Sequence, residues 1–196
     1  VTLDITLPDL VDTLSAGPFP IEDGRIDQVR ALLDAKDAGG LAALGADRYL
    51  PLVDAAGPFP KALDRLRAID AGGALGSRIA GIEAITAAVG NQAALTLDPT
   101  ERHGFEYQSW FGFSIFAAGV RDEIGRGGTY GVIHEDGREE PAVGFSLYAD
   151  PNDASRMISS LWRQVGTAAA EELVEGVERL DFLYGVDNLL GETRFL

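Results

Sequence analysis

"GRGGTYGVIHEDGREEPAVGFSLYAD", residues 125–150, is the stretch on which the fold turns. "TYGVI" and "PAVGFSLYA" are rich in β-branched and aromatic residues, and "HEDGRE" joins them. Asp136-Gly137 is a strong hairpin signal, because such a turn needs positive φ, which glycine supplies without steric cost. Two antiparallel strands are therefore expected. The glycines before them do not form a nucleotide loop. Tyr130 stands where a third glycine of GxGxxG would fall, and no Gly-Lys-Ser/Thr follows. The segment also lies between strands, so no helix N-terminus is on hand for a phosphate. "GRGGTYG" reads as a tight β-turn with close backbone approach.

Upstream, "GFEYQSWFGFSIFAAGV" is aromatic and apolar on both faces in its second half, as a central strand covered on both sides would be. "AALTLDP" is a short strand ended by Pro99. At the start, "VTLDITL" alternates: Val1, Leu3, Ile5 and Leu7 share one face, and Thr2, Asp4 and Thr6 share the other. That is a half-buried strand. Residues 8–92 have a different period. "GRIDQVRALLDAKD" places Ile26, Val29, Leu32 and Leu33 on one side of a helix. Shorter helices are expected after Pro8, in "GLAALG", "DRYLPLVDAAG" and "FPKALDRLRAI", and over 75–89. "AGPFP" occurs at 16–20 and again at 56–60 with unlike flanks, as two similar helix-ending turns. Ser155 to Glu178 reads as a helix with an acidic side. The fold class is α+β: an antiparallel sheet flanked by helices. The core comprises 1–7 and 93–196, with a C-terminal helix, and 8–92 form a helical insertion.

The chain has 196 residues, 46% of them hydrophobic, enough for a sizeable core. Net charge is −15, and Lys36 and Lys61 are its lysines. A groove that neutralises many phosphates needs dense cations, so nucleic acid is not an expected partner. No run of apolar residues is long enough to span a membrane. There are no cysteines, which removes disulfides, thiolate chemistry and cysteine-based zinc sites and fits a reducing compartment. His103 and His134 are widely separated and do not form a converging ligand set, so no metal is expected. Ser109 and Ser114 lack the context of an activated nucleophile.

"HGFEYQSWFGFSIFA", "GRGGTYG" and "PAVGFSLYAD", in this order and spacing, resemble the second half of the histidyl-tRNA synthetase catalytic domain, and more closely its paralogue, the regulatory subunit of ATP phosphoribosyltransferase. "LDITLPDLVDTL" resembles the segment after the second class II motif in that paralogue. The resemblance covers residues 1–150. It implies a sheet of the class II synthetase type. It also implies a histidine-like pocket lined by Tyr107, Gln108, Gly127, Gly128 and Tyr130.

Several positions depart from the synthetase pattern. His103 stands where an arginine precedes the motif glycine, and Gln108 replaces the second tyrosine of a pair. Thr129 and Gly131 replace an arginine and an aspartate of the glycine segment. Pro151 stands near the place of an ATP-gripping arginine, and proline has no donor. Activating an amino acid with ATP builds negative charge that fixed cations must stabilise, and each lost oxyanion donor costs about 2.7–4 kcal/mol by analogy.

The resemblance thus implies a non-catalytic subunit with no cofactor and no catalytic residues, acting in the cytoplasm. Its expected partner is the catalytic subunit of ATP phosphoribosyltransferase in a hetero-oligomer, with histidine as effector in the first step of histidine biosynthesis. The first two class II motifs are not recognisable, which suits a fragment or a truncated relative. Two other readings remain open: a fragment of a catalytic histidyl-tRNA synthetase, and a small-ligand binding domain with Tyr107, Trp110 and Tyr130 around its pocket.

Overall fold

The computed structural model describes residues 1–70, 72–102, 108–134, 136–148, 157–163 and 171–177. Strand β1, Thr2–Thr6, is followed by helices α1 (Leu10–Ser15), α2 (Ile26–Asp34), α3 (Ala38–Ala43) and α4 (Leu50–Val53). A two-residue strand β2 (Gly57–Pro58) then leads to α5 (Lys61–Ile69) and α6 (Gly76–Val89). The rest is strand: β3 (Ala94–Leu97), β4 (Gln108–Phe116), β5 (Gly125–Ile133), β6 (Glu139–Tyr148), β7 (Met157–Arg163) and β8 (Glu171–Val177).

All eight strands form one sheet in the order β2-β3-β1-β4-β5-β6-β7-β8. The architecture is α+β as expected, but the sheet is mixed, because β1 and β3 run parallel. The helical segment between them is the crossover that a parallel pair requires. The two "AGPFP" copies differ: the first follows α1, whereas Gly57 and Pro58 of the second pair with Leu97 and Thr96.

The helices pack on β1 and β3 through one apolar core. Leu14, Leu33, Leu41, Leu52 and Leu66 are fully enclosed, together with Ile5 and Leu97 from the sheet. Burying each such side chain contributes about 1.5–3 kcal/mol. Two ends in this layer use the same Schellman closure. Asp37 N–H donates to Leu32 O and Lys36 N–H to Leu33 O; Ala46 N–H donates to Leu41 O and Gly45 N–H to Ala42 O. The left-handed residue is Gly45 in one case and Lys36, at φ 55°, in the other. Lysine is tolerated there because its ammonium donates to Asp98 Oδ1 at 2.7 Å and Thr100 Oγ1 at 2.6 Å, tying α2 to the segment after β3.

Two expectations are corrected. Residues 155–178 are not one helix: Met157–Arg163 and Glu171–Val177 are strands, and β7 extends the sheet from β6. The edge of β6 offers a ladder of backbone partners, and a local helical pattern yields to it. The glycine segment is not a turn either. Residues 125–133 are a strand paired on both sides, with β4 and with β6. Glycine is needed there because neighbours press on the backbone. A Cβ on Gly128 would lie 2.6 Å from Phe111 O and 2.8 Å from Gln108 Nε2.

Candidate functional site

Strand alternation sorts the central strands into two faces. Across one of them the register aligns Thr96, Asp4, Ser114, Arg126 and Ser146 in a row. The next row is Thr6, Gly112, Gly128 and Gly144. A third joins Gln108, Tyr130 and Ala142. Three glycines side by side leave a bare backbone floor between two polar rows. The Gln108 carboxamide lies across that floor. Its Nε2 donates to Gly127 O at 3.2 Å, and its Oε1 would be 2.7 Å from a Cβ on Gly112.

The outer row is held by a half-buried carboxylate. Glu123 accepts a hydrogen bond from Ser114 Oγ at 2.9 Å and another from Tyr148 OH at 3.3 Å. It also forms an ion pair with Arg126. The Arg126 guanidinium lies 5.9 Å from the centroid of the Tyr148 ring, within cation–π range. Asp4 accepts from Thr96 Oγ1 on the neighbouring strand. In the helical layer, Arg78 from α6 grips Asp9 with both ends of its fork, Nε to Oδ1 at 2.9 Å and Nη2 to Oδ2 at 2.7 Å. This fixes α6 against the start of α1. The face therefore offers paired donors and acceptors around a glycine floor, which suits a small polar ligand.

The opposite face is apolar. Gly127 belongs there: a Cβ on it would lie 2.6 Å from Phe113 Cζ and 2.7 Å from Phe145 Cβ. Of the five residues expected to line one pocket, Gln108, Gly128 and Tyr130 share the polar face. Gly127 reaches that face with its carbonyl alone, and Tyr107 lies outside the described residues, as does His103. The polar side of β4, Gly112 and Ser114, also corrects the expectation of a strand apolar on both faces; Ser114 is fully buried and hydrogen-bonded. His134 Nε2 sits 2.9 Å from Glu140 Oε2.

Sequence reading missed Thr6, Gly112, Ser114, Glu123, Arg126, Gly144 and Tyr148. The signal was partly there. The Thr2-Asp4-Thr6 side of β1, set apart in the sequence from the apolar side, is where the polar face begins.

At Trp110 the β4 ladder breaks. The register shifts between Gln108 and Gly112, and Trp110 adopts φ 67°, which a bulky side chain rarely does. Thr129 bridges the irregularity: its Oγ1 accepts from Phe111 N–H at 3.0 Å and donates to Ser109 O. A cleft of about 380 Å³ opens here, lined by Ser109, Trp110, Thr129, Tyr130, Pro141, Ala142 and Val143.

Three comparisons bear on this arrangement. A histidyl-tRNA synthetase family model matches residues 1–151. Among curated proteins, an ATP phosphoribosyltransferase regulatory subunit of Rhodospirillum centenum is 36% identical over 156 residues, covering 76% of this chain and 39% of its own length. The protein of the same description from Paramagnetospirillum magneticum is 38% identical, covering 76% of this chain and 40% of its own length. The chain thus spans about two fifths of the length of these relatives.

Among solved structures, an ATP phosphoribosyl transferase (HisG:HisZ) complex from Thermotoga maritima aligns with a TM-score of 0.57 at 15% identity, over 74% of this chain and 52% of that one. An ATP phosphoribosyltransferase regulatory subunit/histidyl-tRNA synthetase from Bacillus halodurans aligns with a TM-score of 0.53 at 16% identity, over 66% of this chain and 37% of that one. At these identities the structural likeness speaks for the fold. No helix among the described residues is long and apolar enough to cross a membrane. From the family match over residues 1–151 and the glycine-floored sheet that those residues build, the chain belongs to the histidyl-tRNA synthetase family.

Proposed function

We propose that this chain is the synthetase-like part of a regulatory subunit of ATP phosphoribosyltransferase, non-catalytic itself and working in the cytoplasm in the first step of histidine biosynthesis. The observation that carries the reading is the match to curated regulatory subunits at 36% and 38% identity. The chemistry of the polar face agrees. Its cation, Arg126, is neutralised by Glu123 and covered by the Tyr148 ring, so it is badly placed to stabilise a triphosphate. Thr129 stands where the resemblance places an arginine, and its hydroxyl is occupied in bracing the Trp110 bulge.

The partner under this reading is the catalytic subunit, in a hetero-oligomer. Histidine is the effector, bound over the Gly112-Gly128-Gly144 floor beside Gln108 and Tyr130, with Tyr107 completing the pocket. The division into a sheet body of 1–7 and 93–196, with 8–92 as an insertion, belongs to the same proposal. Co-expression with a phosphoribosyltransferase catalytic subunit tests it: the two should co-purify, and the pair should lose activity when histidine is added. Histidine-dependent ATP–pyrophosphate exchange by the chain would instead make it part of a working synthetase. Gln108→Ala, which removes the carboxamide lying across the glycine floor, should weaken histidine binding by calorimetry, with circular dichroism checking that the fold is kept.

A further inference from the structure

The cleft at Trp110 adjoins the glycine floor: Thr129, Pro141 and Val143 belong to the opposite face of the sheet, and Tyr130 and Ala142 of the polar face complete its lining. It combines three features that the polar site does not use. Its wall is the Trp110 ring, 41% exposed, backed by Phe111 at 4.5 Å between centroids and edged by Gly81 of α6. Its floor, Thr129, Pro141 and Val143, is largely apolar. Beside that floor Glu139 bends over Gly131, which pairs with Pro141; a Cβ on Gly131 would collide with the Glu139 carboxylate. Neighbouring charges do not satisfy it. Arg138 pairs with Glu140 and Asp136 instead, and Glu139 has no ion-pair or hydrogen-bond partner among the described residues.

We propose that this cleft is a socket for an arginine side chain of a partner protein, its guanidinium stacked on Trp110 and its charge met by Glu139. Charge complementarity selects that occupant. An aromatic face attracts a cation, a carboxylate at the rim fixes its sign, and an apolar floor accepts the methylene stem. Arginine suits this better than lysine because its planar fork stacks and is more weakly hydrated. Anchors of this kind, a desolvated arginine against an aromatic, recur among the residues that dominate protein interfaces. The chain as a whole, at −15, favours a basic partner surface. The strained bulge has a role under this reading: without it the Trp110 side chain would follow the strand alternation and not stand over the cleft.

The test is an NMR titration of the full chain with N-acetyl-arginine methylamide and, separately, with its neutral citrulline analogue. Concentrations run to about 50 mM, which reaches the weak affinity of one side chain. The readouts are the Thr129 and Val143 amides and the Trp110 indole N–H, identified by its loss in Trp110→Phe. Saturable shifts with arginine, at least threefold weaker with citrulline, are expected. Glu139→Gln should bring arginine down to the citrulline level, and Trp110→Leu should remove the Thr129 and Val143 shifts. Glu139 is exposed, so its variant keeps the fold. Absence of shifts, equal shifts with both probes, or an arginine response unchanged in Glu139→Gln would overturn the proposal. Because the probe is a single amino-acid derivative and no catalytic subunit is present, that failure leaves the regulatory-subunit reading standing.

Discussion

The helical layer and the β4–β6 sheet differ in how each uses its apolar residues. In the helices leucines are sealed: Leu14, Leu33, Leu41, Leu52 and Leu66 have no exposure. In the sheet Trp110, Phe116 and Leu147 are each exposed by about two fifths, and Ile133 by 75%. The first region has spent its apolar surface on its own stability. The second holds apolar and polar groups in fixed positions with their outer sides open, as a surface that meets other molecules does. The difference sets a sealed apolar core under residues 8–92 against an open, partly exposed surface over residues 108–148.

The largest effects should expose that division. Leu66→Ala empties a fully buried site and should lower the unfolding free energy by about 2–5 kcal/mol in urea, whereas Leu147→Ala should cost less than about 1 kcal/mol. Equal losses would break the comparison. The pH profile offers a second cut through the helical layer. Tyr49 is buried and donates to Phe19 O at 2.8 Å. Burial, and then the nearby Asp12 charge, push its pKa up to about 12 from 10.0. The neutral phenol is therefore the form the fold favours. Its stabilisation is whole below about pH 10 and lost as the pH rises towards 12, and Tyr49→Phe should flatten denaturation midpoints across that window.

Next is the clasp within the helical layer, between α6 and the start of α1. Arg78→Met leaves Asp9 without its two-pronged partner and should cost about 1.5–3 kcal/mol, measured by thermal unfolding. Adding Asp9→Asn should recover part of that, because the stranded charge is gone. The smallest effect sharpens the Schellman comparison. Lys36→Ala loses the Asp98 and Thr100 bonds but keeps a side chain at φ 55°. Lys36→Gly loses the same bonds and relieves the backbone, so it should be the more stable of the two by about 1 kcal/mol in urea.

Much of the helical layer was legible because a helix declares itself within its own turns. Val29 and Leu33 sit one turn apart and point the same way whatever the rest of the chain does. The β5–β6 hairpin was legible for a similar reason, since Asp136-Gly137 sets the return locally and Gly137 indeed has φ 77°. The candidate site was legible only in part. Gln108, Gly128 and Tyr130 come together, but the glycine segment that suggested a turn is a strand. Its need for glycine comes from Phe113 and Phe145 above one residue and Gln108 beside the next. Those neighbours are remote in the chain, and no local pattern announces them.

What the residues determine alone is therefore the period of each segment, the turn at Gly137 and the scarcity of cations that argues against a phosphate-binding groove. The tertiary structure alone decides which residues of different strands stand side by side: Gly112 with Gly128 and Gly144 as a floor, Glu123 among Ser114, Arg126 and Tyr148, Trp110 against Gly81, and residues 157–163 as a strand on the β6 edge. The physical reason is that strand register is a relation between distant segments. A slip of one residue would send every side chain to the other face while leaving the local pattern of each strand unchanged.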